Sequence, residues 1–281
     1  MGQNKRNIDI EYEELKSKYS ILQNEWRCQQ EVIGRLQMKT TKLQSQLKIQ
    51  AAFLTKVGAT LGHYLWKITQ VPDIVNIILR EDKLTKLSEI MVNVLTSFID
   101  TYQSKIPTTD TEETMFILSI IGLVANLSTE DRGRQFFSQN NIGKNVIKLI
   151  MTIVTHTSSS SGNQWKKISY VALYNVSIFS NGSSGFMIDA GLVKALNDDI
   201  EDRNNTMTGP DQRCFALKLL HSLLRNVCTK TTYNIMKNNV RLSSLVKLTS
   251  AVDTEIKTIA QIILEDFRKA NEKFETKIIM S

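Results

Sequence analysis

The chain has 281 residues, 42% hydrophobic and 22% charged, which is enough apolar side chain for one or two packed domains and too much for a disordered chain. With 12 glycines and 3 prolines it lacks the turn residues of a sandwich or barrel this long, and no run of about 18 uncharged apolar residues is present to span a membrane. The formal net charge is +7, a mild excess that is unevenly placed.

The opening residues, Met1 to Arg6, are polar. They carry no apolar core of a secretory signal, and Arg6 stands where a myristoylation motif wants Ser or Thr. Cys28, Cys214 and Cys228 are too few and too scattered for a disulfide framework. A reducing compartment, cytoplasm or nucleus, is expected.

A heptad pattern follows. With Tyr12 at position a, the a positions are Tyr12, Tyr19, Trp26, Ile33, Thr40, Leu47 and Leu54, and the d positions are Ile8, Leu15, Leu22, Gln29, Leu36, Leu43 and Gln50. A narrow apolar seam held this long predicts a coiled coil, because a lone helix would leave it in water. Residues 8–54 would form a rod of about 70 Å at the helical rise. The expected oligomerisation or partner surface is Leu15, Tyr19, Leu22, Trp26, Ile33, Leu36 and Leu43. Aromatic side chains at a are bulky for a tight parallel dimer and leave a trimer, tetramer or hetero-assembly open. An amphipathic helix packed on its own domain is the alternative, and Cys28 falls off the seam. From Val32 to Pro72 there is no acidic residue, while Arg35, Lys39, Lys42, Lys48, Lys56 and Lys67 are present. This stripe reads as a solvated face, or as a contact for nucleic acid or an acidic partner.

From Ala51 onward the apolar period is helical, as in Ile74 to Leu79 and in Leu84, Leu87, Met91, Leu95 and Phe98. Asp73, after Pro72, reads as a helix N-terminal acid. Polar runs at Ser104–Thr111, Thr155–Asn163 and Asp198–Asp211 predict loops, with Ser158–Gly162 expected to be mobile. Three segments align on asparagine: Ile120 to Ser128 with Asn126, Ser169 to Ser177 with Asn175, and Leu220 to Cys228 with Asn226. Each reads as a helix end followed by an aliphatic and a small polar residue. Gly133, Gly182 and Tyr233 lie seven residues on, then Phe136 with Phe137, Phe186 and Met236; Trp66 stands in the asparagine place of an earlier copy. A period near 50 residues predicts three-helix units stacked as an armadillo-like solenoid, because no unit closes its own core. The chain is thus read as all-α: a coiled-coil helix over 1–57, a repeat domain over 58–275 and a tail over 276–281.

An asparagine amide offers an acceptor and two donors. A row of them on a groove suits the main chain of an extended peptide, which makes Asn126, Asn175 and Asn226 candidate groove residues. The alternative is that each caps a helix end.

Catalytic patterns are absent from the sequence. His63, His156 and His221 have no Cys, Asp or Glu at metal-ligand spacing, Gly58 and Gly62 lack the Lys-Ser/Thr of a phosphate loop, and Gly182 to Gly185 reads as a turn. No enzyme, metal or cofactor is expected. Glu112, Glu113, Asp198 and Asp199 read as exposed loop or helix-start acids, and Cys214 and Cys228 as core.

Several stretches together carry a resemblance. They are Leu65-Trp66 with Val75 to Leu79, Gly122-Leu123-Val124-Ala125-Asn126, Gly133-Arg134-Gln135-Phe136, Leu173-Tyr174-Asn175-Val176-Ser177, and Ala260-Gln261 with Leu264-Glu265-Asp266. In this order, over about residues 60 to 270, the chain resembles the heat shock factor 2-binding protein family of meiotic adaptors. The chain departs from the family in a shorter N-terminus, in the Ser158–Gly162 loop and at Ile68-Thr69-Gln70. The resemblance implies an oligomerising helix, an armadillo domain and a non-enzymatic adaptor. It implies a groove that binds a peptide of the breast-cancer-susceptibility recombination mediator and helps bring strand-exchange recombinases to meiotic double-strand breaks. It further implies a small meiotic coiled-coil partner, a heat shock factor as a further partner, and a place in the nucleus. By motif match it adds Arg134 to Asn175 as a peptide contact. Two rival readings stand beside it: a nucleic-acid binder using the basic stripe 35–67, and an import-type carrier. Tyr174 where such carriers have Trp, and Arg134, Lys166 and Lys167 nearby, argue against a basic cargo.

Overall fold

The computed structural model describes residues 2–80, 83–103, 106–107, 111–157, 163–179, 183–201 and 210–275. Among these there is no strand. Contacts divide the chain into two compact units, Met1–Thr55 and Lys56–Ser281.

The described residues of the first unit are all helical and belong to α1, Gly2–Ile68. No proline precedes Pro72, so nothing in the sequence removes a helical hydrogen bond along this run. Its heptad side chains stand in water: Leu15, Tyr19, Leu22 and Trp26 are 62–67% exposed, Ile33 44%, Leu36 57% and Leu43 60%. At that exposure, in heptad register, they form a bare apolar stripe along the helix.

The second unit begins with the last turns of α1. Four three-part units follow. The first is α2 (Pro72–Arg80), α3 (Lys83–Tyr102) and α4 (Glu112–Leu127). The second is α5 (Asp131–Gln139), α6 (Asn141–His156) and α7 (Asn163–Ser177). In the third, a short 3-10 turn, Ser183–Met187, replaces the first helix before α8 (Ala190–Glu201) and α9 (Pro210–Arg225). The fourth is α10 (Lys230–Asn239), α11 (Leu242–Leu248) and α12 (Thr254–Glu275). The third helices stack in succession, α4 on α7, α7 on α9 and α9 on α12; the second helices do likewise, α3 on α6 and α6 on α8. This is an all-α, armadillo-type solenoid.

Local chemistry sets the boundaries. Thr111 Oγ1 accepts from the Thr114 N–H at the start of α4, and Asn140 Oδ1 from the Ile142 and Gly143 N–H groups at the start of α6. Thr229 and Thr232 form a reciprocal capping box on α10. Each cap gives partners to donors that have none inside the helix. The core between the stacked helices is apolar and closed: Ile121, Val124, Ile147, Ile150, Leu173, Val176, Leu217 and Leu220 are all fully buried. Gly133, seven residues past Asn126, is a close approach, since a Cβ there would lie 1.8 Å from the Leu127 carbonyl oxygen. Phe137, Tyr233 and Met236, from the same repeat positions, are core.

Two expectations need correction. Asp198 and Asp199 lie within α8, not in a loop, and Asp199 is fully buried because Lys166 neutralises it. Cys228 is exposed in the turn after α9, while Cys214 is buried as expected. The turn begins one residue after Arg225, so the helical period no longer applies at Cys228. The Ser158–Gly162 run, Gly182 and residues 202–209 lie outside the described residues.

Candidate functional site

The last carbonyls of a helix have no intrahelical donor. In this solenoid the register asparagines supply one across three successive boundaries, α1 to α4, α4 to α7 and α7 to α9. Asn126 of α4 donates from Nδ2 to the Trp66 carbonyl of α1 at 3.0 Å and to Thr69 Oγ1 at 3.0 Å. Asn175 of α7 donates to the Ala125 carbonyl of α4 at 3.1 Å. Asn226, just past α9, donates to the Ser177 carbonyl of α7 at 2.8 Å and to the Ser222 carbonyl at 2.8 Å. The register asparagine is therefore an interlock between successive units. All three are half-buried rather than open to solvent.

The three are not equivalent. Asn126 and Asn226 have both amide hydrogens engaged. Asn175 has one engaged, which leaves one N–H and the side-chain carbonyl oxygen without a partner among the described residues. It sits beside half-buried Tyr174 and Val171 on α7.

Arg134, on the first turns of α5, donates to the Thr129 carbonyl at 2.7 Å and the Ser128 carbonyl at 3.4 Å, and pairs with Asp131 Oδ1 at 2.6 Å. Its side chain is 20% exposed. The structure thus brings Arg134 and Asn175 to one place, the C-terminal turn of α4, where Asn175 meets residue 125 and Arg134 residues 128 and 129. Both are held in the free protein by carbonyls they help satisfy.

Ion pairs tie the third-helix face together. Lys167 of α7 meets Asp211 of α9 at 2.6 Å, Lys218 of α9 meets Glu255 of α12 at 2.7 Å, and His221 of α9 meets Asp266 of α12 at 3.1 Å. The hydrogen bonds from Lys167 and Lys218 hold the Asp211 and Glu255 carboxyls below the usual range. Asp211 and Glu255 on this face are each matched by a lysine of the preceding helix. Those two carboxylates are occupied rather than free for a basic cargo, and Lys166 is turned away from this face to Asp199.

Lys166 instead enters a buried polar cluster that the sequence reading missed. Its Nζ lies 2.7 Å from Asp199 Oδ1, and Asp199 Oδ2 accepts from Tyr170 Oη at 2.6 Å and Gln212 Nε2 at 3.0 Å. The pair is 3% and 0% exposed. Burial and the neighbouring Asp199 charge push the Tyr170 hydroxyl well above its ordinary range. The signal was available: Lys166 and Tyr170 are four apart, on one helix face with Trp165 and Leu173 around them. Asn197 was missed too. It is buried in α8, bonds the Asn239 carbonyl and accepts from the Arg241 N–H at 3.3 Å, which ties α8 to the α10–α11 junction.

Comparison with known proteins agrees with this architecture. No family model matches the chain. It is similar to heat shock factor 2-binding protein of Mus musculus, with 24% identity over 237 residues, 83% of this chain and 67% of that one. Among solved structures, an engineered protein superposes with a TM-score of 0.52 at 19% identity, over 76% of this chain and 47% of its own. A designed armadillo repeat protein in complex with the peptide (KR)4 superposes at 0.42 and 15% identity, over 74% of this chain and 92% of its own. The first of these supports the fold. The chain is a helical-repeat protein related to heat shock factor 2-binding protein, and that relation together with the solenoid architecture points to a binding scaffold.

Proposed function

We propose that this protein is a nuclear, non-enzymatic adaptor whose third-helix face captures an extended peptide and whose heptad helix multiplies that site by self-association. The observation that carries the reading is Asn175: a half-buried amide on the stacked helices with one donor and one acceptor left over, which is what a peptide main chain needs. Similarity to heat shock factor 2-binding protein supports a heat shock factor among the partners, and the motif resemblance implies the others. The partners are a peptide of the recombination mediator, through which strand-exchange recombinases reach meiotic double-strand breaks, a small meiotic coiled-coil protein, and a heat shock factor. Several weak peptide sites on one assembly gain avidity without any new contact.

The test is titration calorimetry with overlapping synthetic peptides of the recombination mediator, beside thermal melts of the same proteins. Asn175→Ala is expected to weaken binding about 5- to 150-fold, the effect of losing one buried amide contact of about 1–3 kcal/mol. Its melting temperature should shift little, since Ser128 Oγ also donates to the Ala125 carbonyl at 3.0 Å. Asn126→Ala breaks two bonds, one of them to buried Thr69, and should lower the melt more. Unchanged affinity for Asn175→Ala with a lowered melt would show the residue to be an interlock alone.

A further inference from the structure

The register asparagines of the third helices hold carbonyls of their neighbours. Three asparagines of the second helices hold nothing. Asn93 on α3 and Asn141 and Asn145 on α6 line an open groove of about 660 Å³ between these helices, with Glu89, Lys144 and Lys148. None of these six side chains has a hydrogen bond or an ion pair among the described residues. Half-buried Val92 and Ile142 complete the lining. The N–H groups of Ile142 and Gly143 are taken by Asn140, so the groove is made by side chains and not by the helix end.

Nothing in the fold rewards this choice of residues. Asn93 and Asn145 lie inside helices, where asparagine is a poor former because its side chain competes for backbone partners. Lys144 and Lys148 are four apart, so like charges stand side by side on one helix face. The Lys144 ammonium is held 5.9 Å from the centroid of the half-buried Phe186 ring, with no carboxylate beside it. Local choices that weaken a helix and gain no contact within the chain are the mark of a functional surface.

Spacing and charge define the occupant. Lys144 to Lys148, Asn141 to Asn145 and Glu89 to Asn93 are each four residues apart, about 6 Å along a helix. Alternate residues of an extended strand are about 6.6 Å apart and point to one side. The two walls differ in sign. α6 brings the lysines, while α3 brings Glu89 and, in an adjoining groove of about 430 Å³ that shares Asn93, Asp100. From Glu89 to Thr101 the α3 wall runs about 18 Å, the length of about five extended residues. We propose that this groove binds an extended segment of a partner protein in which acidic and basic residues alternate. Acids at alternate positions meet Lys144 and Lys148, the basic residues between them face Glu89, and the three carboxamides pair with the main chain. No third-helix residue lines the groove, so this surface is separate from the peptide site proposed above.

The experiment is fluorescence anisotropy on the full chain with two labelled octapeptides of one composition. In the first, glutamate and lysine alternate; in the second, four glutamates precede four lysines. Neither has a net side-chain charge, so general attraction to a chain of net charge +7 does not separate them. The alternating peptide should bind about five- to thirtyfold more tightly, the effect of two exposed ion pairs. Lys144→Gln with Lys148→Gln should abolish that preference. Lys148→Glu, at an exposed position, should abolish it too, with an unchanged circular dichroism melt. With a benzophenone at its end, the alternating peptide should cross-link to α3 or α6, as read by mass spectrometry. Equal binding of the two peptides overturns the proposal. So does a preference that survives Lys148→Glu, and so do cross-links confined to α7 or α9, which would place the peptide on the third-helix face.

Discussion

At the scale of single residues, an amide or a charge is defined here by what it already holds. Asn126, Asn175 and Asn226 share a sequence position, yet only Asn175 retains a free amide hydrogen, because Thr69 and Ser222 engage the second hydrogen of the other two. The same logic governs the thiols. Cys28 and Cys228 are exposed, whereas burial, and a hydrogen bond with Glu255, push the Cys214 thiol up to about 11. A raised pKa in the folded state favours the protonated thiol. Its contribution to stability is whole below the ordinary value of 9.0 and is lost as pH rises through about 11. Two thiols of the native protein should therefore react quickly with a disulfide reagent at pH 8 and the third only on unfolding. Quick reaction of all three would show that α9 opens readily at Cys214.

At the scale of elements, α1 is the clearest case of a helix whose sequence exceeds its contacts. Leu22 and Leu36 are 63% and 57% exposed. A solitary helix gains nothing from them, and an assembly gains about 1.5–3 kcal/mol for each such side chain fully buried. Leu22→Asp with Leu36→Asp places two charges in the proposed seam, where unpaired burial is costly. Light scattering should report a smaller mass for the double variant, with helix content in the solenoid unchanged. An unchanged mass would move the assembly surface elsewhere. The heptads were fully legible because a repeat of seven needs no tertiary context to be seen. The shrunken first helix of the third unit was not, since Ser183–Met187 carries the repeat's Phe186 but too little helix-forming sequence around it.

At the scale of the whole molecule, the solenoid is a chain of neighbours: α4 holds α7, α7 holds α9 and α9 holds α12. Stability in such an array is a sum of units and interfaces. Residues 56–281 contain every one of these contacts, together with Trp66 and its bond from Asn126. A fragment starting at Lys56 should fold and melt cooperatively by circular dichroism. Cooperativity, not residual helix, is the observable. A gradual, aggregating transition would mean that residues 1–55 stabilise the solenoid. Beginning the fragment after Ile68 should instead lower its melting temperature, because the Asn126 amide loses its carbonyl and Gly122 faces the void left by Trp66.

The sequence by itself determined the helical class, the heptad seam and the asparagine register, because each is a periodicity, and periodicity follows from the geometry of one helix and from repetition of one unit. The family resemblance, carried by Gly133-Arg134-Gln135-Phe136, added Arg134 to that register. What the sequence did not determine was the direction in which these groups spend their hydrogen bonds. Asn175 and Arg134 were legible as positions, but only the stacking of α7 and α5 on the end of α4 brings them to the carbonyls of residues 125, 128 and 129. Asp199 looked like a surface acid in a polar run, and only the convergence of α7, α8 and α9 encloses it with Lys166, Tyr170 and Gln212. A charge pair separated by 33 residues leaves no local pattern. It exists because desolvation in the core demands a counter-charge wherever the chain happens to return.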